Sequence, residues 1–173
     1  MKFFLTGKSW QIFLVLISPM LLLPVILVNL QSMQWFGYLW LMTMVLFIGW
    51  LYSIGSFANN NAPDNLRKNP RLYKVGFLIP LIYGVLLNIY FFPELELGKN
   101  TKPPFWLIPL HLLSMLGIFY GLLFTAKRLV TLQRSEKIGF FEYSGAFFLF
   151  WFFPIGIWFL QPKVNQLYNE KSA

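Results

Sequence analysis

The sequence predicts an all-α integral membrane protein: a helical bundle of about five transmembrane helices, kinked by proline and joined by short loops, in one multi-pass domain. Three observations carry this. Hydrophobic residues make up 57% of the 173-residue chain and charged residues 12%, whereas soluble domains carry about 25% charged residues. The apolar residues fall into five runs, most of them near the ~20 residues a helix needs to cross a bilayer core. The charges collect in the short stretches between those runs, the distribution that membrane topology imposes. A net charge of +8 would suggest nucleic acid in a soluble protein, but no loop here is long enough to build a reader. The expected partners are a bilayer with anionic headgroups, a second copy of the chain or other membrane proteins, and no nucleic acid. Cysteine is absent, which excludes disulfides, thiolate metal sites and a cysteine nucleophile.

Lys2 and Lys8 precede the first apolar run. That run is too long for a cleaved signal peptide and lacks a small-x-small site before Asn29, so it reads as an uncleaved signal anchor. The first span, about 10–28, holds Pro19 and Pro24 and is expected to kink. The second, about 35–57, has no proline and should be the straightest. Its aromatic residues, Trp35, Tyr38 and Trp40 at one end and Trp50 and Tyr52 toward the other, match two interfacial belts. The longest polar stretch, 58–74, closes with Arg67, Lys68, Arg71 and Lys74. With Lys127 and Arg128 these are the candidate lipid-headgroup contacts, although a solvated, topology-setting loop explains the same charges.

The third span, about 75–92, repeats Gly76, Pro80, Gly84 and Asn88 every fourth residue, one helix face of small and polar groups suited to close packing. The fourth, about 105–126, carries Pro109, His111, Ser114 and the pair Gly117–Gly121, a Gly-x-x-x-Gly packing signal of modest specificity. The polar segment 127–142 reads as an extension of the fourth helix followed by a short interfacial stretch. The last span, about 143–161, is the most aromatic and is interrupted by Pro154-Ile155-Gly156.

The positive-inside rule orients the chain. With five spans and the N-terminus inside, ten of the fourteen Lys and Arg residues face inward. That arrangement puts the N-terminus in the cytoplasm and the C-terminus outside a cell (inner) membrane. The uninterrupted apolar part of the last span, 146–160, is short for a crossing, and a re-entrant hairpin bent at Pro154 would raise the inward number to twelve. A crossing is preferred here, because bent backbone inside a bilayer must be buried in protein.

Candidate chemistry is sparse. No charged residue lies within the first four spans, which argues against a proton relay. A single histidine without cysteine does not supply the three ligands of a catalytic metal site, so no metal and no cofactor is expected. Antiparallel third and fourth spans would bring Asn88 and His111 to a similar depth, roughly 6–9 Å below the outer surface at 1.5 Å per residue. Ser114 would lie deeper, with Glu94 and Glu96 at the rim. The plain reading is a His–Asn hydrogen bond between helices. The functional reading is a small polar pocket open to the outside. At the inner interface Glu142, beside Tyr143, is expected as a helix-capping carboxylate or a partner contact.

Together these features point to a non-enzymatic accessory or interaction subunit. A small transporter or channel component using Asn88, His111 and Ser114 is the rival, and a lipid-acting membrane enzyme the third possibility. A water-filled cavity at Asn88 and His111 would favour transport. A lateral opening beside paired acids would favour an enzyme.

Overall fold

The computed structural model describes residues 2–30, 33–96 and 104–172, and their side chains apart from those of 26–30, 33 and 96. Among the described residues there is no strand. A short helix α1 (Phe3–Thr6) leads into α2 (Ser9–Leu30), which stays helical through Pro19 and Pro24. Then come α3 (Met33–Asn61) and a polar loop with one 3₁₀ turn, Asp64–Leu66. Helix α4 (Arg71–Leu86) continues through a π-helical turn, Leu87–Phe91, into α5 (Phe92–Glu96). Helix α6 (Leu107–Arg134) is followed by α7 (Phe140–Trp151) and α8 (Phe153–Ser172). Three stretches, Gln34–Asn61, Arg71–Leu95 and Leu107–Arg134, are long and apolar enough to span a membrane, and Ser9–Val25 forms a shorter apolar helix.

Small residues decide how these helices pack. Gly76 of α4 lies directly against Gly117 of α6: a Cβ on Gly76 would come 3.3 Å from the Gly117 carbonyl oxygen, and one on Gly117 would overlap the Gly76 carbonyl. A Cβ on Gly121 would likewise overlap the Phe77 ring. Gly84, two steps of four residues beyond Gly76, meets Leu41 and Met44 of α3 instead. Each four-residue step turns the face by roughly 40° at 3.6 residues per turn, so one glycine face on α4 serves two partners in succession. The glycines singled out in the sequence therefore pack helices within this chain.

The buried core runs along this bundle, with Trp50, Leu51, Ile54, Tyr73, Phe150, Ile157 and Leu160 among its members. Two polar clasps sit inside it. The Tyr73 hydroxyl donates to the Leu51 carbonyl (2.8 Å) and lies 2.9 Å from Thr125 Oγ1, joining α3, α4 and α6. The second clasp, on Gln161, holds the last helix.

That last segment departs from expectation. The stretch expected to form one span over 143–161 is two helices that meet at Phe152 (φ −90°, ψ 54°). Pro154 explains the break, since it has no N–H to offer the preceding turn and its ring collides with the carbonyl four residues back. The same proline is well placed in the first turn of α8. Gly156 then passes so close to the Leu149 carbonyl that a Cβ there would overlap it.

The partners of the two arms show that the chain reverses. Lys127 lies over the Tyr143 ring, and Phe119, two turns earlier on α6, contacts Trp151 with ring centroids 4.3 Å apart. Along α8, Phe153 packs on Phe47 (5.2 Å) and Tyr168 on Phe57 (5.4 Å). Thus α7 runs antiparallel to α6, and α8 runs parallel to α3, back to the end from which α7 started. The far end of α8 therefore lies at the same end of the bundle as α1. A straight crossing would keep the backbone ladder intact; Pro154 interrupts that ladder and Gly156 lets the two arms approach closely.

Gln161 locks the returning arm. Its Oε1 accepts from Trp50 Nε1 (3.0 Å), and its Nε2 donates to the Phe4 carbonyl (3.0 Å) and the Gly7 carbonyl (3.3 Å). Asn165 Nδ2 donates to the same Gly7 carbonyl at 3.1 Å. Gln161 and Trp50 are both fully buried.

Candidate functional sites at the two ends of the bundle

At the end away from the termini, the expected polar cluster does not assemble as one pocket. The Asn88 side chain, in the π-helical turn, donates to the Gly37 carbonyl of α3 (3.2 Å) and the Gly84 carbonyl (2.9 Å). His111 Nδ1 lies 2.9 Å from the Tyr83 hydroxyl, and its ring is exposed on the flank of the bundle. Ser114 donates within its own helix to the Leu110 carbonyl at 2.7 Å. Glu94 is exposed, and the side chain of Glu96 lies outside the described residues, as do Lys99 and Lys102. A cavity of ≈ 350 Å³ beside His111 is lined by Tyr83, Leu87, Phe91, Phe92, Leu107, Ile108 and Leu112. Its walls are almost wholly apolar, unlike a water-filled path, and neither Asn88 nor a carboxylate lines it.

The opposite end carries the charge. Arg67 pairs with Asp64 (2.8 Å) and donates from Nε to the Ala62 carbonyl (3.0 Å), which closes the 3₁₀ turn. Arg71 is exposed at the start of α4, and Lys74 faces a separate, mostly apolar groove between α3 and α4. Glu142 accepts from the Gly139 N–H at 2.6 Å, which caps α7, and it also pairs with Arg134. Helix α6 itself ends at Ser135, a left-handed residue (φ 55°) whose N–H bonds the Thr131 carbonyl.

Lys68, Lys127 and Arg128 converge where the 62–70 loop meets the end of α6. They form a common wall of two adjoining cavities, ≈ 240 Å³ and ≈ 540 Å³. Lys137 and Thr131 line the smaller, and Tyr143, Leu72 and Phe124 the larger; neither is lined by an acidic residue. Lys68 is held in place because Asn59 bonds both its N–H (3.0 Å) and its carbonyl (2.9 Å). Lys127 Nζ sits 5.7 Å from the centre of the Tyr143 ring. The Arg128 side chain donates to the Leu66 carbonyl at 2.6 Å, while its Nε is buried with no hydrogen-bond partner among the described residues.

Six basic residues were candidates by sequence; only Lys68, Lys127 and Arg128 line this groove. Lys137 was missed, although a signal existed. Glu136 and Glu142 both have Arg134 as a partner (3.8 Å to Glu136), which leaves Lys137 as the neighbouring cation without an acid. Among the described residues no group of three His, Cys, Asp or Glu side chains could hold a metal ion. Three helices of this length and apolarity fit a membrane-embedded protein. No family model, curated protein or solved structure matches the chain.

Proposed function

We propose that the chain is a non-enzymatic multi-pass membrane protein that packs, through its C-terminal hairpin, against another membrane protein or a second copy of itself. The observation that carries this reading is the helix break at Phe152. Irregular backbone at membrane depth is tolerated where protein covers it. Here Trp151 and Phe152 are exposed, as are Phe148, Ile155 and Phe159 on the two arms beside the break. A photoreactive amino acid at Phe152 in cells is expected to give a discrete protein adduct; labelling of lipid alone would overturn the proposal.

The proposed topology follows from the same hairpin. Four helices cross, α7–α8 enters and leaves on one side, and both termini face the cytoplasm of a cell (inner) membrane. Supporting this, twelve of the fourteen Lys and Arg residues then lie on the cytoplasmic side, with Lys99 and Lys102 as the exceptions. The chain has no cysteine, so single-cysteine labelling is clean. Lys2→Cys and Lys171→Cys are expected to react with an impermeant maleimide from the cytoplasmic side, and Glu94→Cys from the other. Reaction of Lys171→Cys on the side of Glu94→Cys would overturn the hairpin.

A further inference from the structure

We propose that the groove walled by Lys68, Lys127 and Arg128 binds the phosphate of an anionic phospholipid, with an acyl chain lying along Leu72 and Phe124. Arg128 is 4% exposed, yet among the described residues no carboxylate pairs with it. A buried guanidinium without an anion is costly, and buried charges are paired or bound to a counter-ion as a rule. Strapping the loop through the Leu66 carbonyl accounts for one donor of this side chain and leaves the buried Nε unused. The carboxylates that could have served are engaged elsewhere, Asp64 with Arg67 and Glu142 with Arg134. Lys68, Lys127 and Lys137 bring further positive charge to the same place and make no ion pair of their own among the described residues. The missing partner is therefore an anion supplied from outside the chain. Phosphate suits it, since arginine presents parallel donors to phosphate oxygens and lysine adds a point charge.

The shape of the groove selects a lipid over a free ion. The larger cavity leaves the cations and continues along apolar side chains on α4 and α6, in stretches apolar enough to span a membrane. Tyr143 lines the larger cavity beside Lys127 and offers an apolar ring and a polar tip, as aromatic residues do at headgroup level. A free phosphate would use the cationic half and leave the apolar half open. A nucleic acid would leave the apolar half of the groove unused, as a free phosphate would.

The test uses the full-length chain in nanodiscs of mixed phosphatidylglycerol and phosphatidylcholine, ejected for native mass spectrometry. One phosphatidylglycerol is expected to stay bound in preference to phosphatidylcholine by about tenfold, the factor of one charge-assisted contact. Arg128→Gln should remove the preference. Because that variant can also loosen the loop, the more exposed pair Lys68→Gln/Lys127→Gln is measured beside it and should reduce the preference at an unchanged melting temperature. Millimolar inorganic phosphate should leave the bound lipid in place. Equal retention of the two lipids, variants that retain phosphatidylglycerol as the wild type does, or full displacement by free phosphate would each overturn the proposal. Its outcome is independent of whether Phe152 crosslinks to a protein.

Discussion

Gly117→Leu is expected to cost this protein its fold. The Cβ alone would overlap the Gly76 carbonyl, and backbone cannot swing aside as a side chain can. Relief requires α4 and α6 to separate, which also breaks the contact of Tyr73 with Thr125 and the seat of Phe77 against Gly121. Overpacking of a well-packed core costs typically ~1–3 kcal/mol, and a clash that parts two helices lies at or above the top of that range. The measurement is the melting temperature of the detergent-solubilised protein by fluorescence-detected size exclusion. Gly145→Ala is the control, because a Cβ there meets nothing within 4 Å, and it should melt at or above the wild-type temperature. A Gly117→Leu protein with wild-type stability would show that α4 and α6 do not pack as described.

The second large effect is expected at Gln161. Gln161→Leu removes the acceptor of the Trp50 N–H and the donors to the Phe4 and Gly7 carbonyls at one stroke. A buried polar group left without its partner costs about 1–3 kcal/mol, and the Trp50 N–H and the Phe4 carbonyl are orphaned together, while Asn165 still serves the Gly7 carbonyl. The returning arm should loosen from the N-terminal segment, which limited proteolysis would read as faster cleavage within α8. Pairing the change with Trp50→Phe removes the orphaned donor and should recover part of the loss. If Trp50→Phe and Gln161→Leu add without recovery, the Trp50–Gln161 bond is not what holds the hairpin. Interhelical bonds in membranes average only ~0.6 kcal/mol, so an effect clearly above that figure argues for the whole network.

Helix type and the main packing seam could be read from residue order because each rests on short-range regularities. Apolar runs of about 20 residues select helix, which satisfies every backbone group within the segment when none can reach water. The spacing of Gly76, Gly84, Gly117 and Gly121 marks close approach wherever the helices meet, though it does not say which helices. The hairpin was harder. Pro154 and Gly156 were visible, but whether they bend a helix slightly or reverse it depends on what receives the returning arm. The receivers are Trp50, Phe4 and Gly7, far away in the chain, and Gln161 looked like the polar end of a span. The pairing of Asn88 with His111 failed for a related reason. Equal depth on neighbouring helices is not equal azimuth: Asn88 turns toward Gly37, while Tyr83 takes His111. The basic groove was half legible. Lys127 and Arg128 stood out as a pair, but only the fold brings Lys68 beside them, through the grip of Asn59 on its backbone.

The proposed re-entrant hairpin has a mechanical consequence for the surrounding bilayer. Its rising arm of twelve residues is ~18 Å long at 1.5 Å per residue, about half the thickness of a bilayer with its interfacial regions. In the topology proposed above, its two arms displace lipid from one monolayer and hardly any from the other. The protein's cross-section would then be wider in that leaflet, and a molecule of unequal cross-section tilts the lipids packed against it. Many copies gathered in one patch would turn that local tilt into membrane curvature.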